Sequence, residues 1–118
     1  MARHNDTGKR GEDIAESLLV AKGYTIHFRN WRTGRREVDI IASFDNQWVF
    51  VEVKTRSGVV YGFPEDSIGE QKKAFMREAA EAFLWDHQEF PTLRYDIVSI
   101  VIRPDGGYEW RWFEDAFW

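Results

Sequence analysis

This 118-residue chain has no cysteine, three prolines, two methionines and no apolar run of membrane-spanning length. Without thiols it can form neither disulfides nor a thiolate metal site. The three histidines, His4, His27 and His87, are scattered without ligand spacing, which sets zinc aside. A bilayer crossing takes about 20 predominantly apolar residues. The start, Met1-Ala2-Arg3-His4-Asn5-Asp6, is polar and unlike a signal peptide. The cytoplasm is therefore the expected location, with no membrane partner. Neither a Gly-rich phosphate loop nor a Ser/His/Asp arrangement is present, so no small-molecule cofactor is expected.

What the chain does have is apolar and aromatic weight. The apolar share is 43% and the aromatic share 16%, with six Trp and nine Phe. That composition specifies a folded globule, and the length suits one domain spanning residues 1–118. The net charge of −4 argues at first against a nucleic-acid partner, but its distribution matters more. Residues 1–77 carry 13 Lys+Arg against 11 Asp+Glu, whereas residues 78–118 carry 3 against 9. In the first part, Lys9, Arg10, Arg29, Arg32, Arg35, Arg36, Arg56, Lys72, Lys73 and Arg77 form a basic rim around several acids. Such a rim can hold phosphates in a salt-dependent way.

Periodicity divides the chain into seven elements. Ile14, Ala15, Leu18 and Leu19 follow helical spacing from about Thr7 to Lys22, with Met1–Asp6 frayed before them and Gly23 as a stop. Tyr24–Arg29 alternates as a strand, and a turn through Thr33-Gly34 leads to a second strand, Glu37–Phe44. Asp45-Asn46 is a hairpin signal before a third strand, Trp48–Lys54. Ser57–Asp66 reads as a loop. Ser67-Ile68-Gly69-Glu70 reads as a capping box opening a helix to about His87. Arg94–Arg103 and Tyr108–Phe113 are two more strands around the turn Pro104–Gly107. The order α-β-β-β-α-β-β specifies an α/β (α+β) domain with helices flanking a mixed central sheet. The aromatic end, Trp110–Trp118, reads as a core strand followed by a packed terminus or a dimer contact.

The chemistry concentrates in the second and third strands. Alternation puts Glu52 and Lys54 on one face and Val51 and Val53 on the other. The short hairpin makes these strands antiparallel neighbours, which can bring Asp39 near Glu52, though the register stays open. Two carboxylates among apolar residues are costly to bury alone. Mg²⁺, with Mn²⁺ as a substitute, would compensate them, because hard cations take carboxylate oxygens. Lys54 can polarise a water and offset charge growing on a phosphate. The blander account is a structural Asp39–Lys54 or Glu52–Lys54 ion pair.

Both helices add candidates. Glu12 borders the first helix's buried stripe and can lean toward the sheet, whereas Asp13 and Glu16 point away; the plainer role for Glu12 is a charge in the first turn. On the second helix Phe75, Ala79, Ala82 and Phe83 form the expected stripe. Lys72 lies on that stripe, Gln71 borders it and Lys73 points outward.

Six ordered blocks carry a wider likeness: Gly11-Glu12 with Ala15, Asn30-Trp31-Arg32, Glu37–Ile41, Phe50–Arg56, Tyr61-Gly62 with Lys72, and Arg94–Val98 with Asp115-Ala116-Phe117. With them the chain resembles the YraN-like family of predicted endonucleases, within the PD-(D/E)xK restriction-endonuclease-like superfamily. Arg36 departs from the Gly that the family usually has there. The resemblance implies Mg²⁺-dependent hydrolysis of DNA phosphodiesters. Asp39, Glu52 and the Val53 carbonyl would ligate the ion, with Glu12 as a further ligand. Lys54 would orient the attacking water and Lys72 would clamp phosphate. Glu37 and Gln71 would support the ligands from behind, and Arg32, Arg35, Arg36, Arg56 and Lys73 would meet the DNA. A distant similarity to archaeal Holliday-junction resolvases implies branched DNA and a homodimer. The competing expectation is a non-catalytic DNA-binding or scaffolding module that keeps the fold. Asp96 is expected to fix a neighbouring arginine rather than a metal.

Overall fold

A computed structural model describes residues 2–58 and 69–116, with side chains from Asp6 onward. Tyr61-Gly62, Ser67, Phe117 and most of the Ser57–Asp66 loop lie outside the described residues. The element order is α1 (Ala2–Ala21), β1 (Thr25–Thr33), β2 (Arg36–Phe44), β3 (Gln47–Ser57), α2 (Glu70–Asp86), β4 (Leu93–Ile102) and β5 (Tyr108–Phe113). This is the expected α+β succession. The strands form one five-stranded sheet in the order β1-β2-β3-β4-β5. β3 and β4 run parallel and the other pairs are antiparallel. Parallel neighbours need a crossover, and α2 is the helix within it.

The central strands are apolar at nearly every position because both their faces are covered. On one face α1 sets Ala15 and Leu19 against Ile40, Val49, Val51, Val98 and Ile100. On the other, α2 sets Met76, Ala79, Ala80 and Phe83 against Val38, Ile41, Trp48, Phe50 and Tyr95. β3 therefore alternates strictly, sending Trp48 and Phe50 to α2 and Val49 and Val51 to α1. The β2–β3 hairpin turns on Asp45 (φ 54°) and Asn46 (φ 60°), residue types that tolerate left-handed backbone. Gly11 is where α1 touches the sheet most closely: a Cβ there would lie 1.9 Å from the Thr55 hydroxyl oxygen on β3.

Several boundaries differ from the sequence expectation. α1 begins at Ala2, not Thr7. β1 continues past Arg29 to Thr33, and β3 past Lys54 to Ser57. α2 is capped by Gly69 and starts at Glu70, so its first turn is not the expected box. Its stripe is Met76, Ala79, Ala80 and Phe83, and Ala82 is exposed. Alanines at 79, 80 and 82 fit two neighbouring stripes, and the larger Met76 decides between them. Lys72 still lies on the observed stripe, one turn before Met76.

Candidate active site

The β2–β3 ladder begins in the hairpin at Phe44↔Gln47 and ends at Ile40↔Val51. The next facing pair would be Asp39 and Glu52, and there the strands part. The Asp39 carboxylate fills the fork: its Oδ2 accepts the Val53 backbone N–H at 2.8 Å. A backbone donor without a cross-strand partner is satisfied by a side chain instead.

The alternation of β2 slips at the same place. Val38 and Ile41 both face α2 while Ile40 faces α1, so Asp39 occupies an irregular position. Across the β1–β2 ladder, Asn30 falls between the pairs Arg29↔Ile40 and Trp31↔Val38, opposite Asp39. Asn30 has φ 54° in mid-strand. Arg29 and Asn30 consequently both reach residues of α1, while Phe28 and Trp31 both pack on the α2 side. Mid-strand strain of this kind persists where the surroundings hold it, and it clusters at functional sites.

The electrostatics mark the fork. Burial, followed by the charge on Glu52, pushes the Asp39 carboxyl up to about 7, with Glu12 and Glu37 adding to it and the Val53 N–H opposing it. Glu52 is also raised, mainly by burial, while Lys72 and then Lys54 pull it back. Lys72 Nζ lies 3.6 Å from Glu52 Oε1, whose side chain is only 17% exposed. Lys54 follows Glu52 on the same strand face. Asp39, Glu52, Lys54 and Lys72 are thus brought together. A cavity of about 510 Å³ opens beside them, with Arg35, Arg36, Glu37, Asp39, Lys72, Phe75 and Met76 in its wall.

Glu12 is near enough to raise Asp39 but is held elsewhere. Asn30 Nδ2 donates to both its carboxylate oxygens, at 3.2 and 3.3 Å, and Arg29 adds a bond at 3.3 Å. Glu12 lines a separate cavity with Lys9, Arg29, Asn30 and Arg32, and among the described residues only Glu37 borders both spaces. Among the described residues no three carboxylates or imidazoles converge on one ion position. The Asp39 and Glu52 carboxylates are hard oxygen donors at the fork, beside the Val53 backbone. Their mutual repulsion is what a divalent cation would relieve, so the donor set fits Mg²⁺.

The remaining candidates divide. Glu37 is 3.7 Å from Arg32, whose side chain faces solvent. Arg36 is pinned to α2, 2.9 Å from Glu78 and 4.4 Å from the Phe75 ring centroid, rather than standing free on the rim. Arg35, Arg56 and Gln71 are exposed, and Lys73 pairs with Glu70 at 3.4 Å. Asp13 and Glu16, expected to point away, both bind Arg29, at 3.1 and 2.7 Å. Arg29 and Asn30 as organisers of this corner escaped the sequence reading. The signal available was an Asn in mid-strand, a residue that tolerates positive φ.

Comparison with known proteins agrees with the blocks quoted above. The model of the Uncharacterised protein family UPF0102 matches residues 11–100. A UPF0102 protein of Bacteroides thetaiotaomicron is 39% identical over 118 residues, covering 100% of this chain and 97% of its own. One from Flavobacterium psychrophilum is 38% identical, covering 100% and 98%. One from Phocaeicola vulgatus is 39% identical over 101 residues, 86% of this chain and 84% of its own. A match running from the second half of the first helix through the fork to most of β4 leaves one assignment: the chain belongs to the family UPF0102, the YraN-like family.

Proposed function

We propose that this protein is a metal-dependent endonuclease that hydrolyses DNA phosphodiester bonds, with branched or otherwise structured DNA as its substrate. The observation that carries this reading is the Asp39–Glu52 pair: two half-buried acids at a strand fork, both raised by burial and Asp39 also by the charge on Glu52, with two lysines beside them. Perturbed carboxylates bordering a cavity are where catalytic chemistry is to be sought.

Asp39, Glu52 and the Val53 carbonyl would hold Mg²⁺, or Mn²⁺ in its place. When bound, the ion supplies Lewis-acid stabilisation of the charge that develops on the phosphoryl oxygens. Lys54, on the Glu52 face, would orient the attacking water. Lys72, now paired with Glu52, can turn one of its three N–H donors to a phosphate oxygen and offset negative charge there. Glu12, fixed by Asn30 and Arg29, acts through its field on Asp39. Arg32, Arg35 and Arg56 would position the backbone by salt-sensitive contacts.

Asp39→Asn and Glu52→Gln each keep shape while removing charge. Both are expected to abolish Mg²⁺- or Mn²⁺-dependent cutting of branched, flapped or single-stranded DNA, with the fold intact by circular dichroism. Wild-type protein that cuts none of these, or variants that cut as well as it does, would overturn the enzyme reading. Unimpaired DNA binding by inactive wild-type and variants alike would instead support the scaffolding reading.

A further inference from the structure

The cavity beside Asp39 contains more than phosphodiester hydrolysis needs. Acids and lysines suffice for that chemistry, yet one wall is apolar, made by Phe75 and Met76. Against Phe75 the Arg36 guanidinium is already ordered, 4.4 Å from the ring centroid and tied to Glu78 at 2.9 Å. The Arg36 side chain keeps 33% of its surface exposed. A guanidinium plane backed by an aromatic ring is a stacking platform for a nucleobase. The space, about 510 Å³, lies in the range of about 300–1,000 Å³ that encloses ligands of small-molecule size. Continuous duplex DNA cannot use it, because its base faces are already stacked on one another.

We infer that this cavity takes one unstacked nucleobase of a DNA strand, laid against the Arg36–Phe75 pair, with the adjoining phosphate toward Lys72. The inference rests on the nuclease reading and names its substrate class: DNA with an unpaired base beside the bond to be cut. Unstacking is least costly for a base that is already unpaired, so flaps, bulges and mismatches are selected over perfect duplex. Arg36, backed by Phe75, then selects the substrate, and Arg35 at the rim adds charge.

The test uses the full chain with Asp39→Asn, which cannot cut and which lacks one charge repelling phosphate. Its affinity at low salt is measured for two duplexes with a one-nucleotide bulge, one carrying a base and the other an abasic residue. The base-bearing bulge is expected to bind about tenfold more tightly, as one base–aromatic stack supplies. Adding Phe75→Ala, or Arg36→Lys, which keeps the charge and loses the plane, removes that difference; Phe75→Tyr preserves it. Equal binding of the two bulges overturns the inference and leaves DNA binding standing. A preference that survives both Phe75→Ala and Arg36→Lys moves the base elsewhere and also overturns it. No binding of either duplex removes the proposed nuclease function together with the inference.

Discussion

Asp39 and Asp96 are carboxylates of the same sheet with opposite surroundings. Asp96 on β4 is fully buried and receives four hydrogen bonds, two on each oxygen. Arg94 donates two at 2.8 Å, and the Trp112 indole and the Asp115 amide donate the others at 2.9 Å. Arg94 also reaches the Tyr24 hydroxyl at 2.6 Å, which ties the start of β1 to β4. Among the described residues Asp39 receives one backbone hydrogen bond and has Glu52 for a neighbour. The first acid is met by four donors; the second faces another acid. Burial alone therefore does not mark a functional acid. The inventory of its donors does.

The comparison breaks most visibly at Asp96. Replacing it with Ala leaves Arg94 only Glu114 and the Tyr24 hydroxyl and takes the acceptor from the Trp112 indole N–H, and urea unfolding is expected to show a loss of about 3 kcal/mol. A loss under 1 kcal/mol would mean the cluster is ornamental. At Asp39 the sign reverses. Its folded carboxyl titrates at about 7, above the ordinary 3.8, so the native state keeps a proton that the unfolded chain releases. Stability then falls as pH rises from about 4 through 7 and levels off above. Asp39→Asn should melt higher than wild type at pH 8 and no differently at pH 4. Mg²⁺ should raise the wild-type melting temperature at pH 8, by the equivalent of about 2.7 kcal/mol at a hundredfold excess over Kd. It should do much less below pH 6, where protons compete for the ligands, and nothing for Asp39→Asn. A smaller effect sharpens the contrast at Asn30. Asn30→Gly keeps the left-handed backbone and loses only the amide hold on Glu12, a change of about 1 kcal/mol or less. Its test is the pH profile of cutting, whose carboxylate limb should shift once Glu12 is released; an unmoved profile would leave Asn30 with a structural part alone.

Local rules made much of this legible. β3 announced itself through unbroken Val and Phe, the hairpin through Asp45-Asn46, and the first helix through Ala15 and Leu19, each within a few residues of chain. That hairpin made the strands of Asp39 and Glu52 neighbours but left their register open, and helical spacing placed Lys72 on the apolar stripe. What stayed hidden depends on contacts distant in sequence. Asn30 ended the visible alternation of β1 because its left-handed turn resets the faces, so the strand seemed to stop at Arg29. Arg29 gathers Glu12, Asp13 and Glu16 from 13–17 residues away, and two of those acids looked solvent-facing on a helical wheel. Arg36 looked like free rim charge until α2 supplied Glu78 and Phe75. Tertiary partners of long, flexible cations are not written in local periodicity.

The backbone bond to Asp39 also bears on ion choice. With Oδ2 engaged by Val53, a single oxygen of that carboxylate is left to face an incoming ion. Large Ca²⁺ gathers six to eight oxygens and often grips carboxylates two-handed, while small Mg²⁺ accepts one oxygen per carboxylate and keeps its own water shell. Under the proposed function, a fork that offers its aspartate one-handed would discriminate by ionic radius before any nucleic acid arrives.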